Sequence, residues 1–343
     1  MTPTPVYPFD TPPAEAAAIR VATGIVWLRL PLPMALDHVN CYALDDGDSW
    51  TLVDTGLAGP VGKALWHRLL AGPLRGKPVA RLIVTHHHPD HIGLAGWFQA
   101  QGVELVTTRT AWLYARMLTL DVQALPSPQQ LAFYQRAGLA ADLRIRKANE
   151  RPFNFCDVVD PMPLGFTRID EGHILAAGGR RWLVRLGQGH APDHATLWSL
   201  DDAVILGGDQ VLPRISPNIG VYATEPGADP LGEFLTSTTR FMNHANADHL
   251  VLPGHQLPFR GLPDRLVQMV AHHETALTRL RDHLATPRLA VDCFAPLFRR
   301  EIGPADLGLA LAETLAHLNH LLVQGAVTRA LSADGAWIWQ AQG

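Results

Sequence analysis

The stretch ARLIVTHHHPDHIG, residues 80–93, runs through an apolar segment to Thr85 and then places four histidines and an aspartate between His86 and His91. A short apolar run of this kind reads as a buried strand, so the histidines stand at its C-terminal end. His86 and His88 are two apart, and in an extended segment they project to the same side while His87 points the other way. Pro89 carries the fixed φ of a first helical turn, which puts Asp90 and His91 at the N-terminus of a following helix, IGLAGWFQAQG. They lie close to the same point but are directed differently. Two directions predict two metal ions, because neutral imidazole and carboxylate are the ligands of zinc, iron or manganese.

One loop cannot close two coordination shells, so further ligands must come from other strand ends. His190 in GQGHAPDH, Asp209 in ILGGDQ and His255 in LPGH are the candidates. Each follows a glycine that allows the backbone to turn tightly and aim the side chain off the edge of a sheet.

Around these positions the chain alternates between strand and helix patterns. GIVWLRL, VNCYALDD and SWTLVDTG read as an antiparallel start to a sheet, and PVGKALWHRLLAG, Pro60 to Gly72, as a helix opened by proline and closed by glycine. Residues 108–148 have helical periodicity interrupted by PSPQQ, as a helical insertion would. Phe166 to His190 alternates around Gly178 and Gly179 like a hairpin, and HATLWSLDDAVILGGD adds two strands. Helices are expected at Pro230 to Ala245 and Arg265 to Ala285, with the short strand HLVLPGH between them. Residues 288–343 read helix, helix, hairpin, a winged-helix-like piece. The expected boundaries are an extension over 1–23, a catalytic domain over 24–261 and a C-terminal domain over 262–343.

With 343 residues, 47% of them hydrophobic, the chain is long enough to bury a substantial core. Its formal net charge of -4 gives no reason to expect the basic face that nucleic acid or an anionic membrane surface usually requires. In the C-terminal piece Arg288, Arg299, Arg300 and Arg329 are opposed by Asp292, Glu301, Asp306, Glu313 and Asp334. Its second helix has no Lys or Arg, so packing or homodimerisation is expected of it rather than DNA binding. Cys41, Cys156 and Cys293 form no CxxC pair and predict neither a disulfide framework nor a thiolate zinc site. The proline-broken N-terminus has no apolar secretion or membrane segment, and the expected location is the cytoplasm.

Taken together, Asp54 in LVDTG, the HxHxDH of residues 86–91, His190, Asp209 and His255 resemble the metallo-β-lactamase superfamily, over roughly residues 24–260. The resemblance implies an α/β fold, the αββα sandwich, with the site along one edge of two packed sheets. It implies that His86, His88 and His190 hold one divalent ion and Asp90, His91 and His255 the other, with Asp209 between them and Asp54 close behind. Zinc is the expected metal, with iron or manganese as alternatives. A water held between two such ions becomes a nucleophile near neutral pH, and Asp90 orients it as the catalytic carboxylate.

Asp209 separates the chain from the antibiotic-degrading branch, where another residue type stands at that position. The glyoxalase II, lactonase and nuclease branches keep the carboxylate. The expected reaction is hydrolysis of a small ester or thioester, acyl-glutathione included, or of a lactone. Phosphodiester cleavage, as in relatives with a C-terminal winged-helix-like piece that cut single-stranded RNA, is the alternative, and an iron-dependent sulfur dioxygenase the further one. A small-molecule substrate is the expected partner. Its candidate contacts are His194, Arg214, Asn218 and Tyr222, with Trp112, Tyr114, Met117, Phe133 and Tyr134 of the insertion as a roof.

Overall fold

The computed structural model describes residues 5–34 and 36–342, so the first four residues of the expected extension lie outside the described residues. The chain forms two compact units. Residues 1–122, 153–217 and 243–265 make the first, and residues 123–152, 218–242 and 266–343 the second.

In the first unit, one sheet runs in the order β1 (Ile19–Ala22), β2 (Ile25–Pro31), β3 (His38–Asp45), β4 (Trp50–Val53), β5 (Val79–Ile83), β6 (Glu104–Thr107) and β7 (Thr167–Arg168). β1 to β4 pair antiparallel and β4 to β7 parallel. The parallel crossovers carry α1 (Pro60–Ala71), then α2 (Pro89–Ile92) with α3 (Ala95–Gln99), and α4 (Arg109–Leu120) follows β6. The second sheet contains β8 (Ile174–Ala177), β9 (Arg180–Gly187), β10 (His194–Ser199), β11 (Val204–Gly208) and β12 (Leu250–Pro253), with β11 and β12 parallel.

The strands are apolar on both faces, and the two-residue period sorts their side chains between two cores. Along β2, Ile25 and Trp27 enter the core shared by the two sheets, together with Trp182, Val184, Leu197 and Leu206. Leu28 and Leu30 enter the other core, with Trp66 of α1 and Phe98 of α3. β3 divides in the same way, Tyr42 and Leu44 against Cys41 and Ala43. Each such fully buried large side chain contributes about 1.5–3 kcal/mol. This mixed α/β arrangement, with sheets flanked by helices, agrees with the expected fold class.

Both sheets end their parallel strands where ligand-type residues begin. Asp54 follows β4, His86 lies just beyond β5, Asp209 follows β11 and His255 lies just beyond β12. Parallel strands present their carboxyl ends together, and loops there are free to carry chemistry.

The second unit holds α5 (Pro128–Arg136), α6 (Ala141–Ala148), α7 (Pro230–Met242), α8 (Leu262–His283), α9 (Phe294–Phe298), α10 (Leu307–Val323) and the hairpin β13 (Val327–Leu331) with β14 (Trp337–Ala341). α8 begins in the first unit and continues into the second. The core includes Leu231, Phe234, Met269, Leu280, Leu315, Leu318 and Trp339.

Three expectations change. The end of the 1–23 extension is strand β1, because Ile19 and Arg20 pair with Trp27 and Val26, and Val6 bridges Arg260. The helical insertion is not one body: Ala115 and Trp112 of α4 pack in the first unit, whereas Phe133, Tyr134 and Leu143 pack against the second core. PSPQQ, which reads as an interruption, starts α5, with Ser127 and Gln130 forming a reciprocal cap. The units are therefore discontinuous in sequence, since helices join whichever core buries their apolar side. Among the described residues no helix is long and apolar enough to cross a membrane, and none of the cysteines is paired.

Candidate metal centre

His88 has extended backbone and Pro89 opens α2 behind it, so Asp90 and His91 occupy the first helical turn, as the spacing predicts. The structure brings the seven candidate ligands into overlapping groups whose ligand atoms lie within 4.8 Å of one another: His86, His88 and His190; His86, His91 and Asp209; Asp90, His91 and His255. In the first group His88 Nδ1 is 3.0 Å from both His86 Nε2 and His190 Nε2. Nitrogens on a tetrahedral zinc ion would be about 3.3 Å apart, given bonds of about 2.0–2.1 Å. In the third, His255 Nε2 lies 3.2 Å from Asp90 Oδ2.

Asp209 stands between the groups. Its Oδ1 is 3.3 Å from His91 Nε2, and its Oδ2 is 3.5 Å from His190 Nε2 and 3.2 Å from His255 Nε2. His91 Nε2 and Asp209 Oδ1 are both buried without a hydrogen-bond partner. Buried polar atoms that lack a hydrogen bond cost about 1–3 kcal/mol each, and without a metal these two have only ion contacts among the described residues, 3.3 Å to each other and 3.6 Å from His91 Nε2 to Asp90 Oδ2. Divalent cations would relieve both, so the donor set fits the metal ions that the fold implies.

Electrostatics prepare the same result. Burial, then neighbouring histidines, push His86 and His88 well below the usual histidine range, which keeps their imidazoles neutral as ligands must be. Burial opposes charge on Asp209, but His255 and His91 outweigh it and hold its carboxyl well below the usual range. Burial likewise opposes charge on His255, yet Asp209 and Asp90 raise it to about 10 in the metal-free site.

Behind the ligands a hydrogen-bonded layer fixes their orientation. Asp54 has a left-handed backbone, φ 62°, which Asp tolerates better than most residues. Its carboxylate accepts from the Thr85 amide and the Thr85 hydroxyl, both at 2.8 Å, and from His91 Nδ1 at 2.8 Å. The Thr85 hydroxyl in turn accepts from His86 Nδ1 at 3.0 Å. Both histidines thus keep a proton on Nδ1 and present Nε2 to the centre. His255 donates its Nδ1 proton to the His38 carbonyl at 2.8 Å, with the same effect.

Sequence reasoning missed Thr85, His38 and Asn40 as supports. Asn40 Nδ2 donates to the carbonyls of Pro253 and Gln256, its amide donates to Gly254, and the Tyr42 hydroxyl donates to Pro253. These bonds hold the loop that carries His255. The buried polar Asn40 inside an apolar strand was the available signal. Gly254 is required there, since a Cβ would stand 2.1 Å from Asp209 Oδ1.

His194, expected as a substrate contact, is packed inside the fold. Its side chain is 0% exposed, its ring stacks on His86 at 4.5 Å, and its Nε2 accepts the Asp209 amide proton at 3.0 Å. It braces the backbone of Asp209 from inside. Arg214 is exposed and lies over the Tyr7 ring at 5.5 Å. Asn218 and Tyr222 belong to the second unit, where Asn218 Nδ2 donates to Glu313 at 3.0 Å. None of these three stands among the clustered ligands.

His87 points away from the ligand set, as its position predicts. Its ring packs near Tyr114 of α4 at 5.0 Å and parallel to Phe155 at 6.3 Å. Trp112 of the same helix stacks on Phe166 instead, and Met117 is exposed. Phe133 and Tyr134 lie in the second unit.

The family described as the Metallo-beta-lactamase superfamily matches residues 34–263, and the one described as Metallo-beta-lactamase-like, C-terminal domain, matches residues 277–342. A relative named probable metallo-hydrolase YqjP, from Bacillus subtilis (strain 168), is 25% identical over 89% of this chain and 94% of its own length. The crystal structure of a beta-lactamase domain protein from Burkholderia ambifaria is 37% identical, covers 98% of each chain and superposes with a TM-score of 0.90. That of a metallo-beta-lactamase family protein from Thermus thermophilus is 27% identical, covers 94% of this chain and 100% of its own, with a TM-score of 0.78. With the family match spanning most of the chain and the donor set complete, this protein belongs to the metallo-β-lactamase superfamily, as a metallo-hydrolase.

Proposed function

We propose that the protein hydrolyses a small ester or thioester at a centre of two zinc ions. The observation that carries this reading is Asp209, whose two oxygens face different groups of nitrogens, Oδ1 toward His91 and Oδ2 toward His190 and His255. A carboxylate shared in this way supports two ions rather than one. Such a pair, when bound, supplies an activated water and polarises a carbonyl oxygen.

The chain's own groups do the rest. Asp90 stands beside His255 with its carboxylate in the centre, where it can accept a proton from an attacking water. His86, His91 and His255 have their outer nitrogens occupied by hydrogen bonds, so no ring turns as charge develops. Tyr114 and Phe155 pack around His87 and so hold the ligand loop beside His88.

Kinetics on acyl-glutathione and acyl-CoA thioesters, lactones and a chromogenic phosphodiester, all on one zinc-loaded preparation, test the proposal. Turnover of a thioester or ester is expected. Cleavage of RNA or the phosphodiester alone would replace it with a nuclease, and oxygen-dependent turnover by an iron-loaded enzyme with a dioxygenase.

A further inference from the structure

In the second unit a cavity of about 400 Å³ opens between α5, residues 223–227, α10 and the β13–β14 hairpin. Phe133, Leu315, Trp337 and Trp339 give it an apolar wall, Arg136 and Arg329 also line it, and no aspartate or glutamate does. We propose that this cavity is a binding site for a small organic carboxylate with an apolar body, separate from the metal centre and independent of the reaction proposed there.

Two observations point to such a ligand. The Arg329 guanidinium lies over both Trp337 and Trp339, at 4.6 and 5.2 Å, and Arg136 lies over Trp337 at 5.4 Å. Arg136 donates to the Gly335 carbonyl at 2.8 Å, whereas Arg329 has no hydrogen-bond or ion-pair partner among the described residues. A guanidinium held over aromatic rings with no hydrogen-bond partner of its own has donors left for the two oxygens of a carboxylate. The second observation is Trp339: its side chain is 0% exposed and its Nε1–H has no acceptor. A buried indole N–H without a partner is costly, and Trp339 is part of this cavity's wall, so that unmet donor lies in the same region as the free guanidinium.

An arginine over a tryptophan often does no more than cover the rim of a core. Here a cavity lies beside it, within the range of about 300–1,000 Å³ usual for small-molecule sites, and the walls divide into an apolar part and a cationic part. A nucleic-acid strand fits less well, since it needs a row of open aromatic faces and Trp339 offers none. Asn319, also on the wall, spends its Nδ2 protons on the Pro226 and Ala228 carbonyls, which holds the 223–227 segment in place.

The test is calorimetry and tryptophan fluorescence on the full-length zinc-loaded protein, titrated with decanoate and 4-phenylbutanoate and, separately, with the matching alcohols. Saturable binding of the acids is expected, with the alcohols at least about tenfold weaker. Arg329→Ala should weaken the acids about tenfold and leave the alcohols unchanged, and Arg329→Lys, which keeps charge but not the fork, should fall between. Ala132→Trp, which fills the cavity from an exposed position on α5, should abolish binding. Asp209→Ala should leave it intact, which distinguishes this site from carboxylates bound at the metals. Unaltered melting of the Arg329 and Ala132 variants, and a native circular dichroism spectrum for Asp209→Ala, secure these comparisons. The proposal is overturned if the acids do not bind, if Arg329→Ala binds them as well as the parent, if binding is lost with Asp209→Ala, or if a single-stranded RNA oligonucleotide takes the Arg329-dependent site in preference.

Discussion

The carboxylate of Asp54 accepts the Nδ1 proton of His91 at 2.8 Å while the Thr85 amide and hydroxyl hold it from the other side. Asp54 therefore aims an imidazole that lies 37 residues away in sequence. Asp54→Ala should lower affinity for the ion that His91 faces by about 10- to 100-fold, because the ring loses its orienting acceptor. Equilibrium dialysis with zinc measures this. Full retention of two tightly held ions would show that His91 is positioned without Asp54.

His88 and His87 are neighbours with opposite duties. His88 Nδ1 faces His86 and His190 at 3.0 Å, whereas the His87 ring lies against Tyr114 and Phe155. Elemental analysis should show His88→Ala losing close to one metal ion per chain, and His87→Ala keeping both. His87→Ala should instead lower stability by about 1–2 kcal/mol through lost packing, with little change in kcat. Equal metal loss in the two variants would contradict the orientation of this loop.

Metal binding should release protons. In the metal-free site the carboxylates of Asp209 and Asp90 overcome burial and hold His255 protonated up to about 10, and His91 is raised well above its ordinary value for the same reason. Zinc must displace these protons at neutral pH, so apparent affinity should rise with pH up to about 10. The stability that the protonated His255 lends the metal-free fold is fully present below its unfolded pKa of about 6.5 and lost as pH rises through about 10. Titration calorimetry at neutral pH in buffers of different ionisation enthalpy should give about one to two protons released per chain. Zero would refute the protonated starting state.

The second unit has its own pH dependence. Glu313, which accepts from Asn218 at 3.0 Å, is raised by burial to about 7. The folded chain then binds more protons than the unfolded chain between about 4.5 and about 7. Stability should fall as pH rises through that window and level off above it. Glu313→Gln should remove the fall and add on the order of 2 kcal/mol at pH 8. Melting curves from pH 5 to 8 would decide it, and a parallel decline in the variant would mean that another group is responsible.

The sequence alone marked the ligand-type residues and the differing directions of His86 and His88 against Asp90 and His91, because those are local facts, whereas their division between two ions was implied by the family resemblance. An apolar run before HxHxDH, a proline after His88 and glycines ahead of His190, Asp209 and His255 fix where short segments turn and which way their side chains leave. The strand periods similarly located most elements, since alternation is written into consecutive residues. Tertiary structure decided what lies behind the ligands. Asn40 secures the His255 loop across 213 residues to Pro253, His194 turns inward to the Asp209 amide, and α4 parts company with α5 and α6. Periodicity records which side of an element is apolar but not which other element will cover it. Hydrogen-bond partners far apart in sequence become visible only when packing has brought them within about 3 Å.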